Sequence, residues 1–360
     1  MSDILMERQP AGAADRRMIK AAVIENFRGF RRTELQDCRR VNIIVGANAS
    51  GKTALLEALF LASGGSPEIA LRFRQWRGLE QGVTGVLATD FLWNDLFYNF
   101  DKDNEISIKL IMDPFGQRSL DISYTGDKTV LLPGYNLTQA HYTPSPVSFT
   151  WETPDGKSTI TPIMGPMGNI QISGAAQPKV ENYFFSSGGH YSAADTANRF
   201  SQLSQNYQEQ EIVDVFTSEF PKIDKLGVEI YNGIPALSGS IGGIPKKLPL
   251  ALISGGVNKF ATILCCLHFQ RHTTLFVDEI ENGFYFNRLE SLWRNIHKIA
   301  MKNEAQIFAS THSAECLQAA SLIAEKYPDD FSVIHLGKHG SKHFQGRQFT
   351  FAMEEDIEIR

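Results

Sequence analysis

The sequence is poor in cysteine, has no long hydrophobic run and carries almost no excess of one charge. Its four cysteines include no Cys-x-x-Cys pair, which excludes a zinc knuckle and a disulfide framework and fits a reducing compartment. The most apolar window, Leu248 to Phe269, is interrupted by polar residues and glycines, so it does not predict a membrane span. The first residues lack an apolar segment, which excludes a signal peptide. We therefore expect a cytoplasmic protein with a flexible N-terminal tail over residues 1–17.

Charge gives no clear indication of a polyanionic partner. The formal net charge is −5 at pH 7, yet arginines gather in two stretches, from Arg28 to Arg40 and from Arg72 to Arg77. Such clusters either bind DNA phosphates or form a solvated rim, and the sequence leaves both possibilities open. The arginines of the possible DNA-binding face are Arg28, Arg31, Arg32, Arg72, Arg74 and Arg77.

A phosphate-binding loop is the feature around which the rest of the chain is organised. Val41 to Val45 is rich in β-branched residues, as expected for a buried strand, and Gly46 to Thr53 follows with the pattern Gly-x-x-x-x-Gly-Lys-Thr. In this pattern Lys52 reaches the β- and γ-phosphates of ATP, and Thr53 places its hydroxyl on Mg²⁺. An apolar helix follows, which argues against a chance glycine turn. The predicted nucleotide-binding residues of the loop are Asn48, Ala49, Ser50, Gly51, Lys52 and Thr53.

Two carboxylates end a second apolar strand. Thr273 to Val277 predicts a buried strand, and Asp278 and Glu279 come directly after it. An acidic pair at such a place is costly to bury unless it holds a metal ion or a water molecule. Asp278 therefore fits a Mg²⁺ ligand, and Glu279 fits the base that orients the attacking water. The alternative is a helix N-cap followed by an acidic first turn.

Two further segments fit the same nucleotide site. Ser254, Gly255 and Gly256 precede a helical stretch and predict an anion site at a helix N-terminus, although the motif alone is weak and a flexible loop is the alternative. The predicted strand Gln306 to Ser310 is followed by a Thr-His-Ser segment. His312 in this segment is placed to donate a hydrogen bond to the γ-phosphate, since ligands of open α/β sheets collect at the carboxyl ends of strands. A purely structural histidine is the alternative.

The rest of the chain predicts two additions to this core. Over residues 100–180 apolar and polar residues alternate with a period of two, which predicts half-buried antiparallel strands and which we interpret as a β-rich insertion. Residues 190–222 have a helical pattern, with Tyr207 among the apolar positions and Pro221 as the stop, and we interpret them as a helical subdomain. The glycines over residues 233–243 predict a mobile segment. No long heptad repeat is present, which excludes extended coiled-coil arms.

With these motifs in order, the chain resembles the ABC ATPases of the RecF and SMC type, and most of all the ATPase half of the OLD (overcoming lysogenisation defect) proteins. The motifs that carry the resemblance are Asn26 to Phe30, Gly46 to Thr53 with its asparagine, Asp278 to Gly283, and Thr311 to Ser313. The resemblance implies an α/β fold, a P-loop NTPase of ABC type whose mixed β-sheet core is flanked by helices. It also implies a single ATPase head over residues 18–360, with the β-rich insertion and the helical subdomain inside it.

The resemblance assigns roles that the residues alone do not. It implies that the segment Ser254–Gly256 is a signature motif that completes the nucleotide site of a partner protomer, and it makes Arg28 a possible nucleotide contact. The family usually has Leu-His after Glu-Asn-Gly, whereas this chain has Phe284-Tyr285, which puts a polar contact across the dimer in doubt. OLD proteins also continue into a TOPRIM nuclease domain, whereas this sequence ends at Arg360.

The resemblance implies an enzyme that binds and hydrolyses ATP with Mg²⁺ and forms an ATP-sandwiched homodimer or a higher homo-oligomer. Stand-alone proteins resembling the OLD ATPase occur in bacterial anti-phage defence systems such as the PARIS type. The expected role is therefore a sensor or scaffold subunit that controls a separate effector, a TOPRIM-type nuclease or a toxin. Two alternatives stay open, a RecF-like DNA-repair ATPase that acts on DNA and a nucleotide-gated scaffold with little turnover. DNA-stimulated hydrolysis indicates the first, and a stable effector complex of a hydrolysis-dead variant indicates the second.

Overall fold

The computed structural model describes residues 18–79, 92–114, 116–125, 143–164, 170–173, 182–188, 192–337 and 340–345. The N-terminal tail expected over residues 1–17 and parts of the expected β-rich insertion lie outside the described residues. Within the described residues the chain forms three β-sheets and a set of α-helices. No helix in these ranges is long and apolar enough to cross a membrane.

The strands and helices are numbered in chain order. The strands are β1 (Met18–Phe27), β2 (Phe30–Leu35), β3 (Val41–Gly46), β4 (Ile106–Asp113), β5 (Gly116–Tyr124), β6 (Thr143–Pro144), β7 (Val147–Thr153), β8 (Gly156–Met164), β9 (Ile170–Ser173), β10 (Asn182–Phe185), β11 (Ile223–Tyr231), β12 (Ile234–Ile241), β13 (Leu248–Pro249), β14 (Thr274–Val277), β15 (Gln306–Ser310), β16 (Phe331–Gly337) and β17 (Gly340–Gln345). The helices are α1 (Lys52–Ser63), α2 (Glu68–Gln75), α3 (Ala193–Gln205), α4 (Gln210–Glu219), α5 (Leu250–Ile253), α6 (Gly255–Phe269), α7 (Leu289–Lys302) and α8 (Ala314–Ala324).

The central sheet has six strands in the order β10-β14-β15-β3-β16-β17. Its first five strands run parallel, and β17 is antiparallel to β16. Every residue of β3, β14 and β15 is buried, as expected for parallel strands covered on both faces. Because parallel strands end at the same edge, the loops after β3, β14 and β15 meet there. This edge holds the predicted nucleotide site.

The second sheet is antiparallel and has eight strands in the order β2-β1-β4-β5-β7-β8-β6, with β9 paired to β8. In β4 the buried residues Ile106, Ile108 and Leu110 alternate with more exposed ones, which agrees with the predicted period of two. Strands β4 to β9 come from the segment interpreted as an insertion, and β4 pairs directly with β1. They therefore continue the N-terminal hairpin, and the description of these residues as an insertion stays a prediction.

The helical segment differs from its prediction in one respect. The segment predicted as helical forms α3 and α4, with a turn over residues 206–209 between them. Tyr207 has a φ of +55° in this turn and is 92% exposed, so its prediction as an apolar helix position was wrong. The segment over residues 233–243, expected to be mobile, instead forms β12, which pairs with β11 and β13 in a third sheet.

The core lies on both faces of the central sheet. On one face Val41, Ile43 and Val45 of β3 pack with helices α3, α4, α6, α7 and α8. On the other face Ile44 packs with α1 and with the inner side of the antiparallel sheet. Helix α1 is therefore enclosed between the two sheets, which fixes the direction in which its N-terminus points.

Candidate functional site

The P-loop connects the end of β3 to the start of α1, and its backbone conformation requires glycine at two places. Gly46 has a φ of +150°, Ala49 of +61° and Gly51 of +97°. A Cβ at position 46 would lie 2.6 Å from the carbonyl oxygen of Leu336, and one at position 51 would lie 2.7 Å from the ring of Phe30. Both the backbone angle and the lack of space therefore favour glycine. Phe30 is the first residue of β2, so the start of this strand, directly after the hairpin turn, packs on the P-loop.

Lys52 closes back over the loop. Its Nζ donates hydrogen bonds to the carbonyl oxygens of Gly46 at 2.8 Å and Ala47 at 3.0 Å. Burial lowers the pKa of Lys52, while the carboxylates across the site act in the opposite direction. Ser50 Oγ is buried and has no hydrogen-bond partner in the described part of the chain. An ammonium and a hydroxyl beside the N-terminus of α1 form a donor set that fits a phosphate group.

Asp278 joins the P-loop to two neighbouring strands. Its Oδ2 accepts a hydrogen bond from Thr53 Oγ1 at 2.9 Å, and its Oδ1 accepts one from Ser310 Oγ at 2.6 Å. Its backbone N–H donates to the carbonyl oxygen of Phe185 at 2.7 Å, and the residue is 3% exposed. Carboxylate and hydroxyl oxygens are ligands that Mg²⁺ prefers, and Mg²⁺ usually takes one or two protein ligands beside substrate phosphates. Thr53 and Asp278 therefore fit a Mg²⁺ site.

Glu279 occupies an uncommon backbone conformation, with a φ of +46°. Its N–H donates to Ser310 Oγ at 2.8 Å, and its carboxylate accepts a hydrogen bond from the side chain of Asn282. The carboxylate lies 3.9 Å from His312 Nδ1, which itself lies 3.2 Å from Glu281 Oε1. The structure thus brings Glu279 and His312 together at the carboxyl edge of the sheet. Both side chains stay partly exposed, as access to water and phosphate requires.

The segment Ser254–Gly256 lies at the N-terminus of α6, where the first N–H groups of a helix lack intrahelical partners. A Cβ at Gly256 would lie 1.9 Å from the carbonyl oxygen of Gly283, so the helix start touches the turn after Glu279. Lys259, one turn further along, donates from Nζ to the carbonyl oxygen of Glu279 at 2.7 Å. Among the described residues no hydrogen bond joins Ser254–Gly256 to the P-loop of the same chain.

Lys259 is a site residue that sequence reasoning missed. It is 3% exposed, and burial lowers its pKa to about 8 although Glu281, Asp278 and Glu279 lie nearby. The signal was a single lysine inside an otherwise apolar helix. Ser310 was missed as well, because its link between Asp278 and Glu279 depends on β15 lying next to β14.

Arg28 lies behind the P-loop in a buried ion-pair network. Its Nη1 lies 2.8 Å from Glu57 of α1, and its Nη2 lies 3.6 Å from Asp95. Arg77 also reaches Glu57, at 2.9 Å, and Arg74 reaches Asp95, at 2.8 Å. Burial raises the pKa of Glu57 to about 7, against the effect of the two arginines beside it. Arg28 is therefore engaged inside the protein, and its predicted role as a nucleotide contact stays a prediction.

The Phe284-Tyr285 pair that departs from the family pattern is divided between the core and the surface. Phe284 packs edge-on against Phe260 of α6 with ring centroids 6.3 Å apart. Tyr285 is 81% exposed and lies two residues after Gly283. The aromatic pair thus fixes the turn to α6 at one position and leaves the other open.

Two family models match this chain. The one described as "AAA domain" matches residues 23–136, which include the P-loop. The one described as "AAA domain, putative AbiEii toxin, Type IV TA system" matches residues 92–317, which include the Ser254–Gly256 segment, the two carboxylates and His312. Together the matches contain all of the residues predicted for the nucleotide site.

The chain is also similar to individual proteins. A Helicobacter pylori protein named ATP/GTP phosphatase is 23% identical over 329 residues, covering 84% of this chain and 87% of that protein. The DNA replication and repair protein RecF of Caldanaerobacter subterraneus subsp. tengcongensis is 45% identical over 47 residues, 13% of each chain.

Solved structures that resemble the chain include SMC heads. One, an SMC head bound to the C-winged helix domain of ScpA, has a TM-score of 0.48 and 11% identity and covers 91% of this chain and 97% of that one. Another, the Smc head domain with an extended coiled coil bound to the C-terminal domain of ScpA derived from Pyrococcus furiosus, has a TM-score of 0.49 and 10% identity and covers 95% and 99%.

Proposed function

Given that the chain belongs to the AAA-domain family and is an ATPase, we propose that it is of the RecF and SMC type and hydrolyses ATP in a head-to-head homodimer. In this dimer the P-loop and carboxylates of one protomer and the Ser254–Gly256 segment of the other enclose each nucleotide. The observation that carries the proposal is the placement of Ser254–Gly256. It is fixed to the turn after Glu279, and within the described residues it has no hydrogen bond to its own P-loop.

The residues around the phosphates have different roles in hydrolysis. When ATP binds, Lys52 Nζ donates to the phosphates instead of to the carbonyl oxygens of Gly46 and Ala47. The phosphates are stronger partners because both groups of the hydrogen bond are then charged. Thr53 and Asp278 would hold Mg²⁺, which supplies neutralisation of phosphate charge when bound.

Glu279 orients and polarises the attacking water. His312, held through its backbone N–H by Glu281 Oε1 at 3.1 Å, donates to the γ-phosphate.

The wider role that we propose is control of a separate effector by the opening and closing of this dimer. The resemblance to OLD ATPases supports a nuclease or toxin as that effector. The family description refers to a type IV TA system and applies its toxin label to the matched domain itself, so it supports a multi-component setting and does not identify the effector. The protein would then act as the sensor or scaffold subunit of a bacterial anti-phage defence system in the cytoplasm. A stoichiometric complex of effector and ATPase, recovered from the native host and identified by mass spectrometry, is the expected outcome.

A DNA-repair role in the manner of RecF is less well supported. The RecF match is confined to 47 residues, and four of the six arginines in the possible DNA-binding face have carboxylate partners. Those four are Arg28, Arg32, Arg74 and Arg77. We therefore expect a duplex titration at low salt to detect no tight binding. Binding that weakens steeply with salt would instead support the repair role.

The dimer mechanism is tested by mixing two inactive variants. Ser254→Arg places bulk and positive charge where the partner's γ-phosphate binds, and Lys52→Ala removes the P-loop cation. At ATP concentrations well below the weakened Kd of Lys52→Ala, each variant alone should release almost no phosphate, whereas a mixture forms heterodimers with one intact composite site and should regain activity. Ser218→Arg, at an exposed position on α4, is the matched control and should keep wild-type turnover. Wild-type turnover by Ser254→Arg alone would show that the sandwich mechanism is wrong.

A further inference from the structure

A cavity of about 310 Å³ lies between α2, β10, α3 and α6. It contacts α1 at Phe60, in the last turn of the helix, whereas the P-loop precedes the first turn. The cavity therefore lies away from the P-loop, although Phe185 in its lining accepts the N–H of Asp278. Its volume falls at the lower end of the range for small-molecule sites, and its walls combine aromatic rings with a few polar groups, as such sites do.

One wall of the cavity is aromatic. Trp76 and Phe184 stack with ring centroids 4.9 Å apart and an interplanar angle of 9°. Phe60 extends the wall, with its centroid 5.5 Å from that of Phe184. A flat wall of this kind binds planar rings by stacking and does not depend on which heterocycle is bound.

Two arginines also line the cavity wall. Arg199 of α3 holds its guanidinium 4.5 Å from the ring centroid of Tyr183, which fixes its direction. Arg72 of α2 also lines the cavity, and in the described part of the chain it has no hydrogen-bond or ion-pair partner for its side chain. Asp195 is the single carboxylate in the lining, so the wall has a net positive charge. An anionic group is the ligand chemistry that it fits.

A buried acceptor at the cavity has no donor. Asn182 Nδ2 donates to the carbonyl oxygen of Ser63 at 3.4 Å, but its Oδ1 is buried and receives no hydrogen bond from the residues that the structure describes. Buried acceptors in native proteins are nearly always paired with protein or ordered water, and because Asn182 lines the cavity, a ligand that enters beside it can supply the donor. This observation is independent of the shape and charge of the cavity.

We propose that the cavity is a second ligand site, outside the P-loop, for a free nucleoside monophosphate. The base stacks on Trp76, an N–H of the base donates to Asn182 Oδ1, and the phosphate lies between Arg72 and Arg199. The proposal goes beyond ATP hydrolysis and does not depend on the dimer mechanism. Its test can therefore fail while the dimer mechanism holds, and the reverse is also possible.

Tryptophan fluorescence gives a selective test. Of the four tryptophans, Trp93, Trp151 and Trp293 are at most 1% exposed, whereas Trp76 is partly exposed at the cavity. AMP, GMP, CMP and UMP are titrated into the Lys52→Ala protein, which weakens binding at the P-loop. We expect saturable quenching by at least one of them. No quenching by any of the four would overturn the proposal, and quenching by a single-stranded oligonucleotide alone would overturn the assignment to a free nucleotide.

Variants locate the binding. Arg199→Met in the Lys52→Ala background should weaken the quenching titration by about tenfold to hundredfold, the loss expected for one charge-assisted contact. Arg271→Met, the same change at an exposed arginine paired with Glu304, should leave the titration unchanged. Asn182→Leu is a second variant in case Arg199→Met does not fold, and it should also weaken binding. Equal titrations for the parent and both cavity variants would show that the nucleotide binds elsewhere.

Discussion

The two halves of the nucleotide site are built in different ways. The P-loop half is one continuous segment, Gly46–Thr53, whose shape comes from glycine backbone angles and from Phe30 packed against it. The carboxylate half is assembled from separate segments, with Ser310 linking Asp278 to Glu279 and Lys259 linking α6 to Glu279. The geometry of a local segment is set largely by its own backbone angles, whereas that of an assembled one depends on every element that contributes to it.

The halves also differ in charge. The P-loop half presents Lys52, and the arginines near α1, Arg28, Arg74 and Arg77, are matched by Glu57 and Asp95. The carboxylate half presents Asp278, Glu279 and Glu281. A polyphosphate with its metal ion carries both signs and fits between them. The comparison predicts that changes in the carboxylate half act on turnover and that changes in the P-loop half act on affinity.

The largest effect is expected for Glu279→Gln. The amide keeps the size and hydrogen-bonding capacity of the side chain but removes the base, so kcat should fall by about a hundredfold to ten-thousandfold. ATP affinity should stay near the wild-type value, and the ATP-bound dimer should accumulate. Phosphate release gives kcat, and size-exclusion chromatography with light scattering gives the dimer fraction.

Glu290→Gln is the matched control for this prediction, since Glu290 is exposed and pairs with Arg294 on α7. It should leave kcat unchanged. A Glu279→Gln protein that turns over at the wild-type rate would refute the assignment of the base and with it the proposed function of the carboxylate half.

The same comparison shows which parts of the site were predictable from sequence. The P-loop pattern is local, so Gly46, Gly51, Lys52 and Thr53 were identified from spacing alone. The carboxylate pair was identified because a buried strand that ends in two acids is unusual. The linking residues were not found, because the roles of Ser310 and Lys259 depend on which strands and helices become neighbours.

The same distinction between local and assembled features applies to the prediction of the fold. The P-loop NTPase core follows from the sequence, since its strands and first helix are apolar runs that adjoin recognisable motifs. The local apolar pattern of each strand does not predict that β4 pairs with β1 across many intervening residues. Local patterns also do not predict the break between α3 and α4, where the apolar pattern continues through Tyr207 although the backbone turns.

The second-largest effect is expected for Lys52→Ala. The substitution removes a charge-assisted contact to the phosphates, so ATP affinity should fall by about tenfold to hundredfold. Calorimetry on the folded protein measures the change, and Lys222→Ala, at an exposed position, serves as control. Unchanged affinity would contradict the P-loop assignment.

Lys259→Met should have a smaller effect and act on turnover. The variant keeps the length of the side chain but removes the hydrogen bond to the Glu279 carbonyl oxygen, and one such bond corresponds to about a tenfold loss in kcat. ATP affinity should not change, because Lys259 is a positioning residue and does not touch the phosphates. Lys259→Arg keeps the charge and should recover part of kcat. A loss of affinity with unchanged kcat would contradict this role.

Arg28→Met should have the smallest effect on nucleotide chemistry, although it removes a large cation beside the P-loop. Arg28 is paired with Glu57 inside the protein, so its loss should lower the free energy of unfolding by about 3 kcal/mol, the lower end of the range for breaking a buried pair. The lower end applies because Arg77 still contacts Glu57.

Arg32→Met provides the matched control for Arg28→Met. Arg32 belongs to an exposed pair with Glu25 and Glu34, so its loss should leave the free energy of unfolding close to the wild-type value. Urea denaturation and ATP calorimetry on both variants separate the two roles of Arg28. Reduced stability with unchanged ATP affinity in Arg28→Met would place Arg28 with the internal supports of α1. Wild-type stability with a clear loss of ATP affinity would instead make Arg28 a nucleotide contact, because loss of a phosphate-binding residue lowers ATP affinity and leaves the free energy of unfolding unchanged. The P-loop half of the site would then include the hairpin turn that carries Arg28.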